Sequence, residues 1–145
     1  MRGGYKQVIA INQASTTNGA TASGNIDTLG FDRATIDVIT TTSNAATNNP
    51  SVLKLSESDD TVVTNFANVS GFVGDTDFTI PDSITDTNSH WGVKFNVDLR
   101  GRKRYLKVSV TPITTQVISA IGNLSRADEM PTDATGAGVQ ALVEG

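Results

Sequence analysis

The chain has 145 residues, enough for one domain that buries about two thirds of the surface exposed by its unfolded form. Its 15 acidic and 11 basic residues give a net charge of −4, which disfavours nucleic acid as the main partner because phosphate binding needs many clustered cations. The absence of cysteine excludes disulfides and thiolate metal sites.

The first predicted element is a strand at residues 5–11, where alternate residues share an apolar face. This apolar burst is too short for a secretory signal or a membrane span, so we expect a soluble protein made inside the cell. Residues 12–25 are polar and contain glycine, and we predict that they form a long loop. Residues 29–42 alternate with period two and predict the next strand.

The middle of the chain continues in short bursts rich in Val and Ile, which suit a pleated, half-buried surface. In the clearest of them, Trp91, Phe95 and Leu99 share one face. The strands predicted in this part of the chain cover residues 51–58, 59–69, 91–99, 104–111 and 113–124. With no helical apolar stripe before residue 125, the pattern predicts an all-β fold, an antiparallel β-sandwich of jelly-roll type.

The last residues differ from the rest, and we divide the chain into a sandwich domain, residues 1–124, and a C-terminal arm, residues 125–145. Val139, Leu142 and Val143 have i, i+3 and i+4 spacing, which predicts a short amphipathic helical turn. Such a turn is marginal in isolation, so we expect a partner or a neighbouring subunit to order it through these three residues.

The sequence contains few of the residues that catalytic and metal sites commonly use. His90 is the single histidine, which excludes Cys–His pairs and two-histidine metal sites within one chain. It stands at a predicted strand start, where we expect a surface or loop histidine. No G-x-S-x-G motif and no glycine-rich phosphate loop is present. We therefore predict neither an enzyme, nor a cofactor, nor a resident metal.

Four carboxylates, Asp75, Asp77, Asp82 and Asp86, lie in one loop-like stretch of the sequence. Carboxylate oxygens bind Ca²⁺ when backbone carbonyls join them, although this spacing matches no EF-hand loop. Aspartates are also ordinary turn residues that accept hydrogen bonds from nearby backbone. We predict the turn role, with calcium binding as the alternative.

The stretch "LRGRKRYLKVSV", residues 99–110, carries five of the eleven basic residues. Strands 91–99 and 104–111 have matching apolar faces, which predicts a hairpin with residues 100–103 as its loop. This hairpin places Asp98 diagonally opposite Lys107. It also places Arg104 on the core side, with its stem packed and its guanidinium paired with a carboxylate or a carbonyl.

Three basic residues at the predicted tip, Arg100, Arg102 and Lys103, are left free by this hairpin. They fit either a solvated turn or a contact with an acidic protein neighbour, since Arg is favoured at interfaces. Nucleic acid is the third alternative, but Tyr105 is the only aromatic among them, which is too little for a stacking platform. We predict that these three residues bind a protein partner.

Residues 25–124 contain four stretches of strand and turn, "LGFDRATIDVITTTSN", "LKLSESDD", "VSGFVG" and "LRGRKRYLKVSVTP". In these stretches the chain resembles a group of small proteins encoded among the structural genes of tailed bacteriophages and prophages. These motifs are strand and turn patterns without catalytic content, so the resemblance supplies no catalytic residues. The tail after Arg126 lies outside the shared pattern.

What the resemblance implies is a virion component similar to capsid decoration, or cement, proteins, made in the bacterial host cytoplasm. Such proteins sit on the outer head surface, often as trimers, and bridge subunits of the major capsid protein. The strand at 113–124 is apolar on both faces, which suggests a subunit interface and agrees with a homotrimer. The expected partners are the major capsid protein and the chain itself, with neither nucleic acid nor membrane.

Two other functions are compatible with a β-sandwich of this composition. One is a carbohydrate-binding or adhesive module of a virion, associated with a tail or head fibre, and solvent exposure of Trp91 or Tyr105 would favour it. The other is a coat protein that builds the shell itself, for which an acidic chain without a basic arm is poorly suited.

Overall fold

The computed structural model describes residues 4–41, 49–81, 90–126 and 141–145. These parts of the chain contain nine β-strands and a single 3₁₀ turn at Val63–Asn65, with no α-helix among them. The strands are β1 (Tyr5–Thr16), β2 (Ala22–Asp27), β3 (Arg33–Thr41), β4 (Val52–Ser58), β5 (Ala67–Val73), β6 (His90–Asp98), β7 (Tyr105–Thr111), β8 (Gln116–Ser125) and β9 (Ala141–Glu144).

The strands form two sheets, one of five strands in the order β1-β8-β3-β6-β9 and one of four in the order β2-β7-β4-β5. Without β9, these orders are those of the eight-stranded jelly roll, in which the chain crosses repeatedly between two packed sheets. The strand pairs are antiparallel except for β6 with β9, which run parallel. The predicted fold class is confirmed.

The core lies between the two sheets and follows the period-two pattern of the strands. In β6, Trp91, Val93 and Phe95 point inward and are almost fully buried. Phe72 and Phe78 pack edge to face against Phe95, with ring centroids 5.9 and 5.7 Å apart. Each fully buried side chain of this size contributes roughly 1.5–3 kcal/mol relative to an exposed one. The face predicted from the sequence is therefore the one that holds the sheets together.

The prediction of a loop at residues 12–25 is wrong, because β1 continues to Thr16 and β2 begins at Ala22. Irregular pairing on either side of Ile11, with Gln13 at a φ of 45°, shifts the phase of β1 against β8. Such bulges break the strict alternation by which a strand is recognised. Gly24 in β2 lies so close to β1 that a Cβ there would be 1.8 Å from the carbonyl oxygen of Ala10.

The predicted hairpin of strands 91–99 and 104–111 is also wrong. β6 lies between β3 and β9 in the five-stranded sheet, whereas β7 lies between β2 and β4 in the four-stranded sheet. The apolar faces of β6 and β7 pack against each other across the core, and the two strands are not neighbours in one sheet. Both arrangements bury the same side chains, so the apolar pattern does not distinguish them. Asp98 consequently pairs with Arg33 of β3, and the expected approach to Lys107 does not occur.

The helical turn predicted near the C-terminus is a strand. Ala141–Glu144 form β9, and Val143, which is 7% exposed, pairs with Phe95 and joins the core. Val139 and the side chain of Leu142 lie outside the described residues. The division of the chain after residue 124 stays a prediction, although its final residues return to the sandwich.

Candidate interaction surfaces

The basic stretch of the sequence forms the connector, defined here as residues 99–104, which crosses from β6 to β7 at one end of the sandwich. Its first amide, Leu99 N–H, donates to the carbonyl of Asp32 at 2.9 Å. A tight turn follows, in which Arg102 N–H donates to the Leu99 carbonyl at 3.0 Å and Gly101 has a φ of 79°. A left-handed φ of this kind favours glycine. The connector is thus a fixed turn.

Arg100 is ion-paired with Asp98. Its Nε lies 2.9 Å from Oδ1 of the carboxylate and its Nη2 lies 2.6 Å from Oδ2, a two-pronged arrangement. The hydrogen bonds from this guanidinium hold the pKa of Asp98 far below its usual range. Because the Arg100 side chain remains 71% exposed, the pair lies in solvent.

Arg104 makes a similar pair with Asp27 of β2. Its Nε and Nη2 each lie 2.9 Å from a carboxylate oxygen, which lowers the pKa of Asp27 to about 2. The guanidinium also lies over the ring of Tyr105, 5.0 Å from its centroid. The predicted carboxylate partner is confirmed. The predicted core-side position is wrong, since Arg104 is exposed and pairs outward with a neighbouring strand.

Glu57 at the end of β4 binds the other two basic residues of the connector. Its carboxylate accepts a hydrogen bond from the backbone N–H of Lys103 at 3.2 Å and lies 4.0 Å from Nη1 of Arg102. Arg102 and Arg100 are therefore not free, in contrast to the prediction, because carboxylates of three different strands gather at this end of the sandwich. The Lys103 side chain is exposed. The partner-binding role of these residues stays a prediction.

A second surface is the basic groove, a depression of about 320 Å³ on the outer face of the four-stranded sheet. It is lined by Thr21, Val52, Lys54, Ser56, Phe66, Asn68, Lys107, Ser109 and Thr111. Outward positions of β4 and β7 supply most of these residues, while Phe66 and Asn68 come from the start of β5 and the residue before it. No pattern in the sequence indicates this surface, because its residues are scattered over four segments of the chain.

The register of the strands sets the geometry of the basic groove. Ser56 of β4 pairs with Lys107 of β7 on one side and with Asn68 of β5 on the other, while Lys54 lies two residues away on the same face. Lys107 Nζ lies 4.2 Å from the centroid of the Phe66 ring, a cation–π contact. Ser56 is 3% exposed, and its hydroxyl oxygen is buried without a hydrogen-bond partner.

A third surface is the aliphatic face, defined as Ile9, Ile39, Val117 and Ile121 on the outside of the five-stranded sheet. Ile9 and Ile39 are 61% and 50% exposed, and Ile9 is directly paired with Ile121. The cross-strand partner of Ile121 on its other side is Asp37, which pairs in turn with Lys94 and forms a salt bridge of 2.8 Å with it. β8 itself lies inside the sheet, with one face in the core and the other presenting part of this surface.

Two of the four loop aspartates, Asp75 and Asp77, lie within the described residues and accept hydrogen bonds from nearby backbone. Asp77 Oδ2 accepts hydrogen bonds from the backbone of Gly71 and Val73 at 2.9 and 3.0 Å, and Asp75 Oδ1 accepts one from Ile80 at 3.2 Å. These are the contacts of ordinary turn residues. Asp82 and Asp86 lie outside the described residues, as does the side chain of His90.

Neither aromatic residue proposed for sugar contact is freely exposed. Trp91 is buried and its indole N–H donates to the carbonyl of Pro81 at 2.9 Å, while Tyr105 is half-buried beneath Arg104. Within the ranges that the structure describes, no group of three or more His, Cys, Asp and Glu side chains could hold a metal ion. No helix in those ranges is long and apolar enough to cross a membrane.

No protein-family model matches the sequence, and no curated protein matches it. Among solved structures, the SPBc2 prophage-derived protein YomS is similar over 86% of this chain and 96% of its own, at 15% identity and a TM-score of 0.45. VP2 of the infectious bursal disease virus subviral particle is similar over 86% of this chain, at 10% identity and a TM-score of 0.50. This chain spans 33% of that VP2 chain.

A beta-porphyranase of glycoside hydrolase family 86 from the human gut bacterium Bacteroides plebeius is also similar, over 87% of this chain and 21% of its own, at 15% identity and a TM-score of 0.49. The structural neighbours therefore include a prophage-derived protein, viral particle proteins and segments of glycoside hydrolases. The likeness to VP2, at 10% identity and a TM-score of 0.50, shows the fold alone.

Proposed function

We propose that this protein is a non-catalytic structural component of a bacteriophage particle, a decoration protein that binds the outer surface of the head and stabilises the lattice of the major capsid protein. The observation that carries the proposal is the aliphatic face, where Ile9, Ile39 and Val117 stay exposed on a rigid jelly-roll sheet. Exposed aliphatic side chains that adjoin one another mark protein-binding surfaces. The resemblance of residues 25–124 to small phage proteins supports the same proposal.

The connector supplies a charged rim beside which a capsid subunit could dock. Arg100 and Lys103 are exposed at one end of the sandwich, and Arg102 is half-buried. Rim charges steer association more than they strengthen it, and their carboxylate partners reduce the local field. Val143 is buried in the core of its own chain, and its predicted role in partner binding stays a prediction.

A decoration protein stabilises the shell by binding the assembled lattice and not the free subunits, so that its binding free energy is added to that of the lattice. Many copies bound to one shell act together, which allows each contact to be weak. We propose that the chain assembles as a homotrimer, in which self-association brings three copies of the aliphatic face into one complex.

The experiment is co-sedimentation of the purified protein with empty, expanded heads assembled from the major capsid protein of the same phage. We expect saturation at a fixed ratio of the two proteins and a higher melting temperature of the decorated heads. Sedimentation of the free protein as a trimer would support self-association. Absence of head binding at micromolar concentration would refute the decoration role.

A second candidate is a carbohydrate-binding module of the virion. The observation that favours it is the basic groove, whose lining combines hydroxyl, amide and ammonium groups with one aromatic ring, Phe66. Ligand sites are concave and fix their ligands with a few convergent polar groups. Direct binding of oligosaccharides, with the head-binding assay as a separate measurement, distinguishes the two candidates.

A further inference from the structure

We propose that the basic groove binds an acidic oligosaccharide, with a sugar carboxylate held between Lys54 and Lys107 above Ser56. The inference rests on the second candidate function and names its ligand class. It is independent of head binding, so either can fail without the other.

The charge of the groove points to an anion. Two of its lining residues are lysines and none is acidic, although the chain as a whole carries a net charge of −4. Lys54 and Lys107 are both half-buried, so their ammonium groups are less screened than those of fully exposed lysines. A ligand carboxylate would complement this local charge.

The position of Ser56 defines where that anion would lie. Its hydroxyl is buried at the floor of the groove, directly opposite Lys107 and two residues from Lys54. Lys54 and Lys107 are diagonal neighbours on this face, with Cα atoms roughly 7–8 Å apart, so their long side chains can both reach one carboxylate. An unpaired buried hydroxyl is costly, and a ligand oxygen accepting its hydrogen bond would remove that cost.

The rest of the lining favours a sugar over an acidic peptide. Four hydroxyl side chains and Asn68 line the groove, and Thr21 and Thr111 already exchange a hydrogen bond of 2.7 Å at one end. A peptide lying on the face of a sheet finds no free backbone partners, because the ladder already uses them. A pyranose ring presents hydroxyls and an apolar face, which match these side chains and the ring of Phe66.

The test uses the full chain and titration calorimetry with three probes: a trimer of galacturonic acid, the same trimer as its neutral methyl ester, and triglutamate. We expect the acidic sugar to bind with a submillimolar Kd that weakens with added salt, and the neutral ester to bind at least tenfold more weakly. Equal binding of triglutamate, equal binding of the neutral ester, or no binding of the acidic sugar would overturn the proposal.

Variants locate the site. Lys54→Met and Lys107→Met should each weaken binding of the acidic sugar about tenfold, whereas Lys6→Met, which removes an exposed charge on β1, should not. Ser56→Ala should weaken binding about fivefold while leaving the melting temperature equal or higher, because it deletes an unpaired buried hydroxyl. A fall in melting temperature with unchanged affinity would show that Ser56 is only structural.

Discussion

Arg104 and Asp27 form a two-pronged ion pair between residues 77 positions apart, with both nitrogen–oxygen distances at 2.9 Å. The pair joins the end of β2 to the start of β7. Beside it, the carbonyl of Arg104 accepts hydrogen bonds from both the backbone N–H and the hydroxyl of Thr28, at 3.0 and 2.6 Å. An ion pair and two hydrogen bonds therefore hold the end of the connector against the end of β2 and the residue after it.

This pair predicts a pH dependence of stability. Because the pKa of Asp27 falls from its usual 3.8 to about 2 in the folded protein, the carboxylate contributes stability above pH 3.8, and that contribution is lost as the pH falls through about 2. The pair is partly exposed, so Asp27→Asn should lower the free energy of unfolding by no more than about 1 kcal/mol at pH 7.

Urea denaturation of the wild-type protein and Asp27→Asn at pH 7 and at pH 2 checks this prediction. The difference in free energy of unfolding between the two proteins should be smaller at pH 2 than at pH 7. Asp59→Asn, in an exposed turn, is the control and should change the free energy of unfolding little at either pH. A difference that persists undiminished at pH 2 would show that the carboxylate acts other than through its charge.

A second prediction concerns Val143. It is 7% exposed and pairs with Phe95, so Val143→Ala should lower the free energy of unfolding by roughly 1–2 kcal/mol through lost burial and a small cavity. The matched control is Val63→Ala, at a position that is 75% exposed, which should stay within about 0.5 kcal/mol of the wild type. Chemical denaturation monitored by Trp91 fluorescence gives both values. Equal stability of the two variants would contradict the placement of β9 in the core.

A third prediction tests the close contact of β1 and β2. Gly24→Ala places a Cβ within 1.8 Å of the Ala10 carbonyl oxygen, so the strands must separate, and we expect a loss of at least about 2 kcal/mol or failure to fold. Gly4→Ala is the control, because its Cβ would make an ordinary contact of 3.5 Å with Phe31. Thermal melting compares the two variants. A Gly24→Ala protein as stable as Gly4→Ala would exclude this packing.

A fourth prediction concerns the aliphatic face. Ile39 is 50% exposed, so Ile39→Ser should leave the free energy of unfolding nearly unchanged while weakening binding to assembled heads about tenfold. Val63→Ser removes a similarly exposed aliphatic side chain outside this face and serves as the control. Co-sedimentation at a series of protein concentrations measures the affinity. If both variants bind heads as the wild type does, the contact lies on another surface.

The inward faces of several strands could be predicted from the sequence alone. In β7, Leu106, Val108 and Val110 alternate with polar residues, and all three are fully buried in the structure. Alternation reports burial directly, because successive side chains in a strand point to opposite sides of the sheet. It does not report the neighbour of a strand, and the predicted pairing of β6 with β7 was wrong for that reason.

The strands that could not be predicted are those whose residues alternate poorly or whose conformation depends on contacts with distant parts of the chain. The bulges in β1 interrupt its alternation after Ile11, and the small residues of β2 give little signal until Gly24 packs on Ala10. The last residues near Val143 fit a helical spacing as well as a strand. They become a strand because the edge of β6 offers backbone hydrogen bonds that no isolated segment has.

The sequence by itself determined the fold class, because β-branched residues that alternate with period two predict strands with one buried face. It also limited the chemistry, because a single histidine and no cysteine exclude Cys–His pairs and two-histidine metal sites within one chain. Only the tertiary structure decided which charges meet. Arg102 and Arg104 gain carboxylate partners from β4 and β2, while Lys54 and Lys107 lie on one face of the sheet beside the buried hydroxyl of Ser56. Pairing between distant strands sets these distances, and local alternation carries no information about them.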